Sequence, residues 1–369
     1  MWRLNPIRPA TANGRREGRY IPRRLLLQWH VTERCNLRCS HCYQDGHAGA
    51  DPNFEDLLKV LAQFQELLAG WRREARPVPV RGHITVTGGE PFVRRDFLQL
   101  LEVLSANRAH FSFAILTNGS LIDAAMAARL RKLGPRFVQV SVEGSQATHD
   151  RIRGPGSFER TVAALNHLVR AGVPALISFT AHRANFREFP EVARLGRRLR
   201  VARVWADRLI PWGTGATLQE QVLTPDETRE FFKIMLKARA EAVHRWFGRT
   251  EIAMHRALQF SLAGGRPYHC TAGDTLVTVL PNGDLYPCRR MPIRVGNVME
   301  TRLEHLYYSS DLLCALRNRH LVSAGCQDCF YAGLCRGGLK CLSYAVTGDP
   351  LTADPGCWLA STVKQVAPQ

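Results

Sequence analysis

"ERCNLRCSHCYQ", Glu33 to Gln44, holds three cysteines, Cys35, Cys39 and Cys42, within eight residues. A tetrahedral metal ion or an iron–sulfur cube ordinarily takes four protein ligands, so this set is one short. The run directly follows an apolar stretch, "LLLQWHV" at Leu25–Val31, that reads as a strand. Parallel β/α folds collect their chemistry at the C-terminal ends of strands, which is where the triplet stands.

Working outward, the chain has 369 residues, 45% of them hydrophobic, enough for one large domain or two moderate ones with a sizeable core. No apolar run approaches the roughly 20 residues that span a bilayer. The opening "MWRLNPIRPATANGRREGRY" has no apolar segment of a secretory signal. The expectation is a cytoplasmic protein, with no membrane partner, whose thiols stay reduced. Clustered cysteines then point to metal or iron–sulfur ligation rather than disulfides. Of the 11 cysteines, three lie at 35–42, none at 43–269 and eight at 270–357, which marks two metal-bearing regions.

The formal net charge of +18 suits an acidic partner, an anionic surface or nucleic acid. It equally suits an arginine-rich composition on a solvated surface, because the arginines are spread along the chain. The densest groups, Arg15–Arg24 and Arg194–Arg208, hold few aromatics for base stacking, so a nucleic-acid partner ranks low.

Strand-like runs at Leu25–Val31, His83–Thr87, Phe111–Thr117, Phe137–Val142, Ala175–Ala181 and Ala202–Leu209 alternate with helical patterns. These patterns cover Phe54–Leu68, Arg95–Ala106, Asp123–Leu133, Ser157–Ala171 and Asn185–Leu199. In the first, Leu57, Leu58, Leu61, Phe64 and Leu68 mark one helix face. Six such units imply an α/β fold with a parallel sheet, closed as a barrel or open. A helix over Pro225–Phe247 follows, and Asn282-Gly283 in "LVTVLPNGDLYPC" reads as a hairpin turn. The boundaries that result are a basic segment at 1–24, a barrel at 25–215, a helical connector at 216–264 and a cysteine-rich domain at 265–369.

The spacing Cys35-x3-Cys39-x2-Cys42 resembles that of the radical S-adenosylmethionine enzymes, over most of the chain. A zinc site completed by His41 or His47 is the plainer alternative. The resemblance implies a partial (β/α)6 TIM-like barrel in which Cys35, Cys39 and Cys42 hold three irons of a [4Fe–4S] cluster. It implies that S-adenosylmethionine chelates the fourth iron and is cleaved reductively to a 5′-deoxyadenosyl radical that takes hydrogen from a substrate. "GGEP", Gly88, Gly89, Glu90 and Pro91, looks like the loop that receives the methionyl amino group, with a simple βα turn as the alternative. Asn118 in "LTNG" and Ser141 in "SVEG" correspond to cofactor-lining positions. Glu143 stands where many relatives have aspartate, and no catalytic role is assigned to it. Arg153 in "HDRIRG" either faces a cofactor carboxylate or caps the next helix.

The later cysteines resemble the SPASM extension of that superfamily, a small cysteine-rich domain with two auxiliary iron–sulfur clusters. By that resemblance Cys326, Cys329, Cys335 and Cys357 ligate one cluster, and Cys270, Cys288 and Cys341 hold the other. Two departures bear on the second: five residues stand in "CRGGLKC" where relatives commonly have three, and "LAGGRPYH" offers no extra upstream cysteine. A zinc ribbon from Cys326, Cys329, Cys335 and Cys341 also fits the local spacing. Cys314 in "DLLCALR" reads as a buried core thiol.

The resemblance leaves three substrates: a ribosomally made peptide or protein side chain, a tetrapyrrole of the haem branches, or a sulfatase-type protein side chain. We favour the peptide, because auxiliary clusters suit net oxidations and a basic enzyme suits an acidic leader. The roughly 24 residues before the first strand are too few for a peptide-recognition domain. A leader would therefore need another surface or a separate leader-binding protein. A flavodoxin or ferredoxin is the expected electron donor. "RVWADRLIPWGTG", with Trp205, Asp207, Arg208 and Trp212, either faces substrate or packs beneath the cysteine domain.

Overall fold

A computed structural model describes residues 19–47, 49–243 and 250–359. Its strands are β1 (Arg24–His30), β2 (Arg81–Thr87), β3 (Phe111–Thr117), β4 (Val138–Ser141), β5 (Ala175–Ala181), β6 (Arg203–Arg208), β7 (Glu251–Ile252), β8 (Leu276–Val279), β9 (Asp284–Tyr286) and β10 (Gly296–Asn297). They form one sheet in the order β10-β9-β8-β1-β2-β3-β4-β5-β6-β7. Pairing is parallel from β8 through β1 to β7. It is antiparallel in the β8–β9–β10 meander, whose first turn carries Asn282-Gly283. Helices alternate with the parallel strands: α1 (Phe54–Glu74), α2 (Phe97–Ala106), α3 (Ala124–Leu133), α4 (Gln146–Arg153), α5 (Ser157–Arg170), α6 (Phe189–Leu199) and α7 (Pro225–Val243). Short helices follow: α8 (Phe260–Ala263), α9 (Leu303–Ser309), α10 (Asp311–Arg317), α11 (Ala332–Cys335) and α12 (Lys340–Thr347). This is the expected mixed α/β fold with a cysteine-rich C-terminal region.

Register divides the strand side chains into two faces, because neighbours along a strand point to opposite sides. Leu25, Gly82 and Phe111 share one row. A Cβ on Gly82 would strike Leu68 and approach Phe64 of α1, so this row faces the helices. Leu27, Trp29, Ile84, Val86, Phe113 and Ile115 follow the same parity and are buried. The other parity faces inward, and it is mostly polar, with Leu26, Leu116, Leu176 and Leu276 among the exceptions. It carries Gln28 and His30 on β1, Thr85 and Thr87 on β2, Gln139 and Ser141 on β4, Ser178 and Thr180 on β5, Trp205 and Asp207 on β6, and Thr278 on β8. Trp205 donates to the Gln139 side chain across this interior at 3.0 Å. An apolar outer layer thus supplies the core, and the lumen is left for ligands.

Local differences from the sequence reading have local causes. α1 runs on to Glu74 because fully buried Trp71 extends the apolar stripe past Leu68. The stretch from Asn185 splits into a 3-10 turn at Phe186–Glu188 and α6, which starts where Pro190 fits a first turn. Cys314 is exposed rather than buried. α10 buries Leu313 and Leu316 instead, and Cys314 points outward, near the Tyr308 carbonyl and the Arg317 guanidinium.

Candidate active site

The cysteine loop leaves β1 and is held by the loop after β2. The Gly89 N–H donates to the Thr32 carbonyl at 2.9 Å, and the Glu90 N–H to the Arg34 carbonyl at 2.9 Å. A Cβ on Gly88 would stand 2.4 Å from the Thr32 carbonyl oxygen, and one on Gly89 2.3 Å from that of Arg34. The two glycines are therefore needed so that this loop can lie on the backbone of the cysteine loop. Pro91 opens a single 3-10 turn, capped by the Glu90 carboxylate.

Glu90 is fully buried. Its carboxylate accepts from the Asn118 N–H at 2.7 Å, the Phe92 N–H at 3.1 Å and the Thr117 hydroxyl at 2.9 Å. Burial pushes its pKa up to about 7, against those donors. Asn118 reaches the cysteine loop directly, since its amide donates to the Asn36 side chain at 2.9 Å. Ser141, half-buried at the end of β4, faces the Ser178 hydroxyl at 3.4 Å.

Glu143 is a hub that the sequence reading passed over. It is fully buried and accepts from Arg153 at 2.6 and 3.1 Å and from the Thr180 N–H at 2.9 Å. The His41 Nε2 lies 3.2 Å away. Burial opposes its ionisation, but Arg153 and His41 outweigh that and hold the carboxyl well below its usual range. Arg153 in turn places Nη1 3.7 Å from the Cys39 sulfur. It caps no helix: the N-terminus of α5 is met by the Asp150 carboxylate, which accepts from the Gly156 N–H at 3.0 Å and the Phe158 N–H at 2.7 Å. The sequence signal lay in its two halves, a buried acid after β4 and an arginine one short helix later, which only the fold joins.

Burial pushes the Cys35 thiol up to about 11, and Glu90, Cys39 and Cys42 stand close enough to add to the effect, so a bound metal would have to displace its proton. The His41 Nε2 is taken up by Glu143. Cys326, Cys329, Cys335 and Cys357 line one recess, with Leu258, Phe260, Gly337 and Gly338. Cys341 stands elsewhere, among Cys288 and Cys270, beside Arg290. The longer "CRGGLKC" spacing is absorbed by a turn with φ of 84° and 73° at Gly337 and Gly338. The zinc-ribbon set is thereby split between two places. Among the described residues no three His, Cys, Asp or Glu side chains close round a single metal ion. Four cysteines round one recess match the ligand number of an iron–sulfur cube.

Ion pairs tie the regions together. Arg208 makes a buried bidentate contact with Asp354 at 2.8 and 2.5 Å, and Asp207 pairs with Arg290 at 2.6 Å. Trp212 packs on Tyr344 with ring centroids 5.5 Å apart, which is the packing reading, while Trp205 lines the lumen.

Comparison with known proteins agrees with this geometry. Residues 29–196 match the model of the Radical SAM superfamily, and residues 270–330 that of the SPASM iron–sulfur cluster-binding domain. The mycofactocin maturase MftC of Mycobacterium ulcerans is 30% identical over 356 residues, covering 90% of this chain and 87% of that one. The AdoMet-dependent heme synthase of Methanosarcina barkeri is 27% identical, covering 90% and 95%. The crystal structure of Streptococcus suis SuiB bound to precursor peptide SuiA superposes with a TM-score of 0.69 at 16% identity, covering 91% of this chain and 76% of that one, a likeness of fold. The chain belongs to the radical SAM superfamily and carries a SPASM domain. It is an enzyme whose cofactors are a [4Fe–4S] cluster that works with S-adenosylmethionine, and iron–sulfur in the SPASM domain. Among the described residues no helix is long and apolar enough to cross a membrane.

Proposed function

We propose that this enzyme matures a ribosomally made peptide or protein side chain by radical chemistry. The observation that carries the reading is the 30% identity with a mycofactocin maturase over nine-tenths of the chain. The net charge of +18 supports it, since such a surface would steer an acidic leader.

In this reading Cys35, Cys39 and Cys42 bind three irons of a [4Fe–4S] cluster and leave the fourth to S-adenosylmethionine. When bound, these cofactors supply a one-electron reductant beside a cleavable sulfonium, the source of a carbon radical. Gly88, Gly89, Glu90 and Pro91 shape the adjoining loop, and Glu90 locks it to Asn118. Asn118 and Ser141 border the cofactor from the ends of β3 and β4. Arg153, held by Glu143, sets a positive charge against Cys39. Cys326, Cys329, Cys335 and Cys357 hold one auxiliary cluster, and Cys270, Cys288 and Cys341 a second. A flavodoxin or ferredoxin supplies the electron.

A second reading, tetrapyrrole side-chain modification, is favoured by the 27% identity with a heme synthase that this chain covers over 95% of its length. The test is anaerobic reconstitution with iron and sulfide, then turnover with S-adenosylmethionine and dithionite. One arm contains the short peptide encoded nearest the gene, the other iron–coproporphyrin III. A modified peptide formed with 5′-deoxyadenosine supports the first reading, and a modified tetrapyrrole replaces it with the second. Absence of 5′-deoxyadenosine from both arms rejects both.

A further inference from the structure

Most arginines around the barrel mouth have acidic partners. Arg153 is held by Glu143, Arg208 by Asp354, Arg290 by Asp207 and Arg94 by Asp96. Arg289 differs. Its Nη1 donates to the Tyr43 hydroxyl at 2.8 Å and reaches the Thr87 hydroxyl at 3.5 Å. The guanidinium lies over the Tyr43 ring, 4.7 Å from its centroid. Among the described residues no carboxylate lies within ion-pair distance of it. Tyr43 follows Cys42, Arg289 follows Cys288, and Thr87 is paired in register with His30. This half-buried charge therefore adjoins the chain at both Cys42 and Cys288, beside the inward-facing ends of β1 and β2.

The lumen wall beside it carries a second signal. His30 is 2% exposed and its Nε2 has no protein partner. The hydroxyl of fully buried Thr278 and the Gln28 Oε1 also lack one. These residues face inward on the adjacent strands β1 and β8, with Gln28 and Thr278 in register. A buried polar group left unpaired costs about 1–3 kcal/mol, so such a strip is built to meet water or the polar groups of a ligand. Burial, then Arg289, hold the His30 pKa down at about 3. The imidazole is thus neutral, and Arg289 is the cation that an anionic ligand would meet.

We propose that Arg289 anchors a carboxylate of the substrate through its free guanidinium edge, with the unpartnered His30 Nε2 offering a second polar contact in the lumen. A guanidinium binds a carboxylate through two parallel N–H bonds, which fixes orientation as well as affinity. The anchor rests on the reading that the radical is made at the Cys35 group. It serves either substrate class, since peptides carry side-chain and terminal carboxylates and tetrapyrroles carry propionates.

The test measures binding to the reconstituted holoenzyme without turnover. One pair of probes is iron–coproporphyrin III and its tetramethyl ester, followed by absorbance. The other is pentaalanine as free acid and as C-terminal amide, followed by calorimetry. In at least one pair the wild-type enzyme should prefer the acid by about tenfold or more, the scale of a charge-assisted hydrogen bond. Arg289→Gln should reduce that preference to within about twofold, and Arg289→Lys should keep part of it. The responding pair identifies the source of the carboxylate. Three outcomes overturn the anchor: no acid preference in either pair, a preference unchanged in Arg289→Gln, or loss of S-adenosylmethionine binding in that variant. The last would assign the guanidinium to the cofactor's own carboxylate. An enzyme that prefers acids yet forms no 5′-deoxyadenosine would break the functional reading while leaving the anchor standing.

Discussion

Cys35, Cys39 and Cys42 lie half-exposed on a loop pinned from below by backbone hydrogen bonds and from the side by Arg153. Cys326, Cys329, Cys335 and Cys357 instead converge on an apolar recess closed by two glycines. The first group has three thiols and charged neighbours, the second four thiols and few. A set left one ligand short needs its surroundings to fix geometry and to admit a cofactor. A complete set needs only to be enclosed. Under the proposed ligand sets, the two regions contrast a cluster that would react with one that would be stored in the fold.

The largest test of that contrast removes one group at a time. Replacing Cys35, Cys39 and Cys42 together by alanine should abolish 5′-deoxyadenosine formation and lower the iron content from about twelve to about eight per chain. Replacing Cys326 and Cys329 should also lower iron but leave substrate-independent 5′-deoxyadenosine formation measurable. Equal loss of cleavage in both variants would erase the distinction. The next test cuts the tie between the regions. Asp354→Ala leaves Arg208 buried without its carboxylate and should cost about 3–5 kcal/mol in a urea denaturation series. Asp354→Asn should cost less, because its amide still offers an acceptor.

A smaller effect sharpens the barrel side. Glu90 has a pKa of about 7 in the folded protein, raised from 4.5 by burial. Folded and unfolded chains are both protonated below pH 4.5, and only the folded chain keeps the proton between 4.5 and about 7. Stability should therefore fall as pH rises through that window, by at most about 1.4 kcal/mol per pH unit, and Glu90→Gln should flatten the slope. Glu143, held ionised by Arg153 and His41, acts the opposite way: its stabilisation is complete above the ordinary carboxyl pKa of 4.5 and is lost as pH falls below it. The smallest effect is expected at Cys314→Ser, which should leave iron content unchanged and move stability by less than about 0.5 kcal/mol, as exposed sites do.

How much was legible beforehand follows from the range of each interaction. The strands at Phe111–Thr117 and Ala175–Ala181 fall where their apolar runs do, because a buried parallel strand declares itself locally. α4 was not legible, since "QATHDRIR" is only eight residues long and its buried residues, Thr148, His149 and Ile152, show no apolar stripe. The cysteine groupings came from family likeness, and spacing alone had left a zinc ribbon open. Glu143, Arg289 and His30 were missed for one shared reason. Each matters through a residue far off in the chain, and no local pattern marks a partner, or a missing one, at that distance.

The pairing of β1 with β8 has a consequence in time as well as in space. Leu26–Trp29 bond on one side to Leu276–Val279, about 250 residues further along. At roughly 5–20 residues per second, a ribosome takes some ten seconds or more to cover that interval. Until then the first strand has an uncovered edge, and a bare parallel edge is an invitation to foreign pairing. Cys357, the last of the four thiols on the recess, is made later still. The edge of β1 is thus bare until β8 is made, and the four-thiol recess is whole only once Cys357 has followed.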